Sequence, residues 1–144
     1  MLTSLSITNF ALIDALEVNF NNGFSIITGE TGAGKSILLG GLSLVLGKRA
    51  DLSQIKDKSK KCVIEAIFDI ANYDLKSIFI KDNLDYDPQT IIRREILPSG
   101  KSRAFVNDTP VNLDSLNHLS NHLLDIHSQH QTLQLVDDSY QFKV

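Results

Sequence analysis

The sequence predicts an α/β fold in which a phosphate-binding loop joins a strand to a helix. Residues 29–36 read Gly-Glu-Thr-Gly-Ala-Gly-Lys-Ser and fit the pattern G-x-x-x-x-G-K-[ST]. The apolar run Phe24–Thr28 before the loop is typical of a short strand, and Ile37–Leu46 after it is typical of a buried helix. A turn signal at residues 98–101, between two β-rich segments, predicts an antiparallel β arm over about Thr90 to Val106.

Each position of this loop has a chemical task. Glycines at positions 32 and 34 let the backbone turn tightly and bring successive N–H groups toward phosphate oxygens. Lys35 can place its ammonium between the β- and γ-phosphates, and the Ser36 hydroxyl can bind Mg²⁺. The motif alone does not choose among kinases, GTPases, transporters and DNA-repair ATPases. The predicted nucleotide-binding residues are Gly29, Glu30, Thr31, Gly32, Ala33, Gly34, Lys35, Ser36 and Ile37.

Composition limits the partners that can be expected. The chain of 144 residues is 42% hydrophobic, which is enough for one domain with a real core. Its net charge of −3 and pI near 5.7 give no global basic field for nucleic acid. Cys62 is the single cysteine, so we expect no disulfide framework and a reducing cytoplasm. The apolar run Ile37–Leu46 is too short to cross a membrane, and no signal peptide is expected.

The remaining elements follow from periodicity and turn chemistry. Apolar and polar residues alternate in three segments that we predict to be strands, namely Leu5–Phe10, Ala15–Phe20 and Cys62–Ile70. Gly47 is expected to end the helix after the loop, and 107–110 is expected to form a turn. We predict a short helix over Tyr73–Ile80 and a longer one over Leu113–Leu124, which Asp114 and Ser115 could start. The basic run at 56–61 is interpreted as a solvated loop rather than a phosphate-binding patch.

A second acidic residue for the metal is harder to find. A self-sufficient enzyme of this type needs one at the end of an apolar strand. Asp69 follows an alternating segment that Glu65 interrupts, and Asp125 follows what reads as the end of a helix. Neither position is convincing. The chain also stops at Val144 inside a new amphipathic segment, Tyr140–Val144, so we expect it to be part of a longer protein.

These motifs together resemble those of the RecN family of bacterial DNA repair proteins, relatives of the SMC-type ATPases with ABC-type heads. Residues 29–36 have the RecN form of the loop, in which Glu30-Thr31 stand where SMC proteins carry Pro-Asn. The resemblance covers essentially the whole chain. Its other parts are the opening strand at 5–14, the run Leu46–Asp51 after the helix, the hairpin of Ile92–Ile96 and Gly100–Asn107, and a glutamine loop at about 125–131.

The resemblance implies roles for several residues. Gln129 would reach Mg²⁺ and the attacking water, and would act with Lys35 in catalysis and with Ser36 in metal binding. Arg49 would contact the nucleotide or a partner head, although an exposed loop arginine without a role is an equal alternative. Ser128 and Asp108 stand where the family usually has glycine. Asp108 can still adopt a left-handed turn conformation.

The resemblance also implies an incomplete head. The family's signature motif, Walker B acid and switch histidine lie in a second lobe beyond a coiled coil, and none is in this sequence. The chain would be the amino-terminal lobe of an ABC-type head, residues 1–144, ending near the start of the coiled coil. It would bind ATP or ADP with Mg²⁺ in the cytoplasm, near the nucleoid. Its partners would be the carboxy-terminal lobe, a second head and DNA, with no membrane.

Two other functions remain open from the residues. One is a small self-contained P-loop kinase or NTPase that uses Asp125 or Asp69 as its metal acid. The other is a non-catalytic module in which nucleotide only sets conformation or dimerisation. A zinc site is not expected, although His118 and His122 lie four apart on a predicted helix. Neither a following glutamate nor a cysteine assists them, and His127 and His130 do not complete a known pattern.

Overall fold

A computed structural model describes residues 2–20 and 32–130 of the chain, with side chains described in 2–20 and 37–123. Within these residues there are six strands, three α-helices and one 3-10 turn. The strands are β1 (Leu2–Phe10), β2 (Ile13–Asn19), β3 (Cys62–Asp69), β4 (Gln89–Ile96), β5 (Ser102–Val106) and β6 (Thr109–Val111). The helices are α1 (Gly32–Val45), α2 (Lys76–Lys81) and α3 (Leu113–His130), and the 3-10 turn is Leu52–Gln54.

The six strands form one sheet in the order β2-β1-β3-β4-β5-β6, and every neighbouring pair is antiparallel. The three strands predicted from alternation are confirmed. The predicted pairing of the β arm is also confirmed, since Arg94 lies opposite Ala104 in the β4–β5 ladder. The arm is not a projecting hairpin, however, because β3 pairs with β4 along its full length, from Cys62↔Ile96 to Asp69↔Gln89.

One face of the sheet forms the core. In β3 the residues alternate between buried and half-buried, so one set of side chains faces the helices and the other faces outward. The inward residues of the central strands β1, β3 and β4 are buried, and α1 packs on these three strands. The inward residues are Leu5, Ile7, Cys62, Ile64, Ala66, Phe68, Ile92, Arg94 and Ile96.

The connections obey the turn chemistry of the sequence. Gly100 has a φ of +95° between β4 and β5, as the predicted turn requires. Asn107 and Asp108 have φ values of +48° and +70° between the paired residues Val106 and Thr109. Two left-handed residues in a two-residue hairpin match the twist of the flanking strands. The left-handed conformation predicted for Asp108 is therefore confirmed.

Both later helices differ from their predicted bounds. The short helix begins at Lys76 rather than Tyr73. The long helix is capped by Asn112, whose Oδ1 accepts a hydrogen bond from the Ser115 N–H at 2.8 Å, rather than by Asp114 or Ser115. It continues to His130 rather than ending at Leu124, so residues 125–130, for which the resemblance to the RecN family implies a glutamine loop, have a helical backbone. Neither glycine nor proline occurs between 113 and 130, and the serine at 128 provides no break.

Several sequence predictions lie outside the described residues. They concern the strand Phe24–Thr28, the first loop residues Gly29–Thr31, Gln131 and the segment Tyr140–Val144. Among the helices that the structure describes, no segment has the length and apolar character needed to cross a membrane.

Candidate nucleotide-binding site

Helix α1 begins inside the predicted phosphate-binding loop. Its first five residues are Gly32–Ser36, so the second half of the motif forms the amino-terminal turn of the helix. The first N–H groups of a helix have no acceptor within it, and the aligned peptide dipoles place partial positive charge there. This backbone therefore fits an anionic phosphate ligand. The prediction that residues 37–46 form a helix is confirmed, with a start five residues earlier.

Two glycines set the helix close to the sheet. An added Cβ at Gly41 would lie 2.8 Å from Ile7 Cδ1, so only glycine allows α1 to approach β1 this closely without movement. Gly40 faces the Phe10 ring, where an added Cβ would make an ordinary contact at 3.4 Å. The residues Gly32–Ser36 of the predicted phosphate-binding loop thus belong to a helix that packs on the central strands.

The carboxy-terminal end of α1 is closed by a glycine turn. Gly47 has a φ of +109°, its N–H donates to the Leu44 carbonyl at 3.2 Å, and the Lys48 N–H donates to the Ser43 carbonyl at 3.1 Å. This pair of bonds is a Schellman motif, which satisfies carbonyls that the helix leaves free. The prediction that Gly47 ends the helix is confirmed.

The loop after Gly47 carries Arg49, which is exposed. Asp51 then caps the 3-10 turn, since its Oδ1 accepts from the Ser53 N–H at 3.0 Å and from the Ser53 hydroxyl at 2.7 Å. The Ser53 hydroxyl, followed by the Ser53 N–H, lowers the pKa of the Asp51 carboxyl. The Asp51 carboxylate is therefore engaged in a local cap, whereas Lys48 and Arg49 of this loop are both exposed.

Asn9 organises a second loop, which the sequence reasoning missed. This buried residue has a φ of +60° in β1. Its Nδ2 donates to the carbonyls of Asp57 and Lys60 at 2.9 and 3.1 Å, and its Oδ1 accepts from the Asp57 N–H at 2.8 Å. In the sequence, this role is indicated only by a polar asparagine at a position of β1 where the alternation predicts an apolar, inward-facing residue. The basic run is thereby held against the sheet.

The lysines of that run have partners within the chain. Lys56 Nζ lies 2.6 Å from Asp14 Oδ1, and Lys58 Nζ donates to the Ile55 carbonyl at 3.2 Å. Lys61 Nζ lies 3.8 Å from Glu95 Oε1. Residues 58–61 are exposed, in agreement with a solvated loop.

The predicted catalytic and metal-binding residues lie on two helices. Gly32–Ser36 lie in the first turns of α1, and Gln129 lies near the end of α3. Asp125 is also in α3, where only its backbone is described. Asp69 ends β3, and its Oδ1 accepts from the Ala71 N–H at 3.1 Å. The Asp69 carboxylate thus stabilises the turn that follows β3. The roles of Lys35, Ser36 and Gln129 toward a ligand stay predictions.

The two described histidines contact each other on α3. Their rings lie 5.0 Å apart, and His122 Nδ1 lies 3.0 Å from the His118 carbonyl oxygen. That nitrogen is thus engaged with the backbone. In the part of the chain that the structure describes, no group of three or more His, Cys, Asp or Glu residues could hold a metal ion.

Comparison with known proteins defines the class. Residues 4–142 match the AAA domain family, and the chain therefore belongs to that family. A solved structure described as "Structural biochemistry of ATP-driven dimerization and DNA stimulated activation of SMC ATPases" is similar, with a TM-score of 0.64 and 19% identity over 81% of this chain and 75% of that one. A crystal structure of an SmcHead bound to the C-winged helix domain of ScpA has a TM-score of 0.63 and 18% identity over 81% of this chain and 38% of that one. The predicted ABC-type fold is confirmed.

The sequence relatives are more specific. The DNA repair protein RecN of Vibrio cholerae is 41% identical over 100% of this chain and 26% of its own length. RecN of Bacillus subtilis is 38% identical over 96% of this chain and 24% of its own length. The resemblance to RecN that the motifs indicate is therefore confirmed. The chain spans about a quarter of the length of these curated relatives.

Proposed function

We propose that this chain is the ATP-binding half of the head of a RecN-like ATPase that acts in DNA double-strand break repair and recombination. The observation that carries the proposal is the start of α1 at Gly32, inside a complete phosphate-loop sequence. Free N–H groups and the positive end of the helix dipole meet there, which fits a polyphosphate. The similarity to RecN proteins supports the role in repair.

The residues divide the work of binding. The backbone from Gly29 to Ile37 would surround the phosphates, and the Lys35 ammonium would neutralise charge between the β- and γ-positions. The Ser36 hydroxyl would bind Mg²⁺, with Gln129 as a further ligand that also orients water. A neutral amide suits that position because it can both accept and donate hydrogen bonds. Bound Mg²⁺ would supply charge neutralisation at the phosphates.

The partners follow from the same proposal. Hydrolysis would need a carboxy-terminal lobe and a second head, since this sequence holds no signature motif or convincing second metal acid. DNA would be bound by the longer protein, because the net charge of −3 gives this lobe no general attraction to it. The cytoplasm near the nucleoid would be the site of action, with no membrane partner.

Titration calorimetry with ATP and Mg²⁺ tests the proposal. The wild-type chain should bind weakly, and Lys35→Ala should remove measurable binding because the phosphate-facing charge is lost. Lys81→Ala is the matched control, since this exposed lysine ends α2, away from the predicted loop in the sequence, and should leave affinity unchanged. Equal affinity in wild type and Lys35→Ala would show that the loop is not the site.

A further inference from the structure

Arg94 on β4 is the largest fully buried side chain in the described residues, with 1% of its surface exposed. It lies on the core face between Ile92 and Ile96, whereas its neighbour Arg93 lies on the outer face near Glu65 and Glu95. Among the described side chains, no carboxylate is within ion-pair distance of Arg94. Burial lowers the pKa of its guanidinium. A buried cation without an anion is costly, so its other partners matter.

Those partners lie at the end of α1. Nη1 of Arg94 donates to the carbonyl of Leu44 at 2.8 Å and to that of Lys48 at 2.7 Å. Leu44 is in the last turn of the helix, and Lys48 closes the Schellman turn. Nη2 and Nε of Arg94 contact the Ser102 hydroxyl on β5 at 2.9 and 3.2 Å.

This arrangement stabilises the charge and fixes the helix at once. The carboxy-terminal carbonyls of a helix carry partial negative charge, so a cation there is favourable, and more so when buried. Hydrogen bonds to a charged donor are also stronger than neutral ones. The planar guanidinium joins α1 to two strands, β4 and β5, and its fork leaves little freedom in their relative position.

We propose that Arg94 is a positioning residue for nucleotide binding. Helix α1 has 14 residues and is about 21 Å long, so a shift at Leu44 is carried along a rigid element to the turn that holds Lys35. By fixing the carboxy-terminal end of α1 on the β4–β5 hairpin, Arg94 sets where the phosphate-binding turn stands relative to the sheet. The inference rests on the proposed function, because it assigns the amino-terminal end of α1 to phosphate.

The test compares adjacent arginines on opposite faces. Arg94→Met keeps side-chain bulk but loses the charge and every hydrogen bond, and Arg93→Met makes the same change on the outer face. At a temperature where all variants are folded, Arg94→Met should bind ATP with Mg²⁺ roughly three- to thirtyfold more weakly than wild type. Arg93→Met should bind as wild type does. Arg94→Lys should recover part of the loss and stay about twofold or more below wild type, since an ammonium lacks the fork to Ser102.

A substitution elsewhere in the core distinguishes a specific effect on ATP binding from a general loss of stability. Phe79 is buried on α2, where its ring packs edge-on against Tyr86 at 5.4 Å. Phe79→Leu should lower Tm while leaving ATP affinity close to wild type. A second readout needs no nucleotide: Arg94→Met should speed hydrogen exchange at the amides of Gly47 and Lys48, and Phe79→Leu should not do so selectively.

The outcomes decide between the two proposals. If wild type binds ATP and a folded Arg94→Met binds equally well, the inference is wrong and the proposed function stands. The same holds if Phe79→Leu, at an equal loss of Tm, loses as much affinity. If Arg94→Met does not fold, Arg94→Lys decides, and wild-type affinity in that variant overturns the inference. A wild-type chain that binds no ATP contradicts the proposed function and this inference with it.

Discussion

Asn117 on α3 lies directly over Gly47, the residue that ends α1. A Cβ added at Gly47 would lie 2.1 Å from Asn117 Oδ1 and 2.8 Å from Asn117 Cγ. These distances are too short for any side chain to fit without movement. Asn117 is the fifth residue of α3, so the contact places the second turn of that helix beside the Schellman turn. Helix α3 also carries Gln129, and α1 carries Lys35.

Gly47→Ala should destabilise the chain by about 1–3 kcal/mol, because the φ of +109° strains any residue that has a Cβ. Gly40→Ala is the matched control, since its Cβ would make an ordinary 3.4 Å contact with Phe10 inside the helix. In that variant the free energy of unfolding should increase by up to about 1 kcal/mol, because alanine has a higher helix propensity than glycine. Urea denaturation measures both. Similar effects of the two substitutions would contradict the assignment of strain to Gly47.

Asn9→Ala should cost about 1–3 kcal/mol, because the buried amide serves three backbone groups of the basic loop. Asn9→Gly allows the left-handed conformation but lacks the hydrogen bonds. Compared with Asn9→Ala, it should recover only the part of the lost stability that is due to backbone strain. Thr8→Ala, an exposed neighbour, should change little. Tm and hydrogen exchange at the Asp57 amide measure the effect. Unchanged protection of that amide in Asn9→Ala would show that the loop does not depend on Asn9.

Cys62 should react very slowly with a disulfide reagent at pH 8 while the chain is folded. Its side chain is fully buried, and burial raises the pKa of the thiol from 9.0 to about 11, so the folded state holds about a hundredfold less thiolate than an ordinary cysteine. Because the folded pKa is the higher one, the stability linked to this thiol is complete below pH 9 and is lost as pH rises through about 11.

Labelling with and without urea measures this reactivity. Ser99→Cys in a Cys62→Ala background places one thiol in an exposed turn and is the reference. We expect the reagent to label Cys62 at the rate at which the chain unfolds, and we expect the labelling rate to increase between pH 9 and 11. Labelling of folded wild type at pH 8 as fast as the reference would contradict the buried position.

The 144-residue chain should hydrolyse ATP at least about a hundredfold more slowly than a head with both lobes. Lys35, Ser36 and Gln129 can position phosphate, Mg²⁺ and water, but no described acid is free of another task at the end of an apolar strand. Gln129→Ala in the two-lobe head should slow turnover more than it weakens binding. A phosphate-release assay measures both. Strong hydrolysis by the chain alone, lost on Asp125→Ala, would favour a self-contained NTPase.

Local patterns in the sequence predicted most of the elements. Alternation marked β3, Gly47 marked the end of α1, and the pair Asn107-Asp108 marked the β5–β6 turn. Each of these three features depends on the conformational preferences of a few neighbouring residues, so it can be predicted from a short stretch of sequence. The predicted end of α3 at Leu124 was too early, because the stripe of leucines stops there while the sequence holds no helix breaker before His130.

The tertiary structure decided which strands are neighbours and which face of each is inside. β1 lies between β2 and β3, although about fifty residues separate β1 from β3 in the chain. In β4 both faces carry isoleucine and arginine, so alternation alone could not place Arg94 inside and Arg93 outside. Only packing against α1 made that choice, because the free carbonyls at the end of the helix stabilise a buried guanidinium that no local sequence pattern predicts.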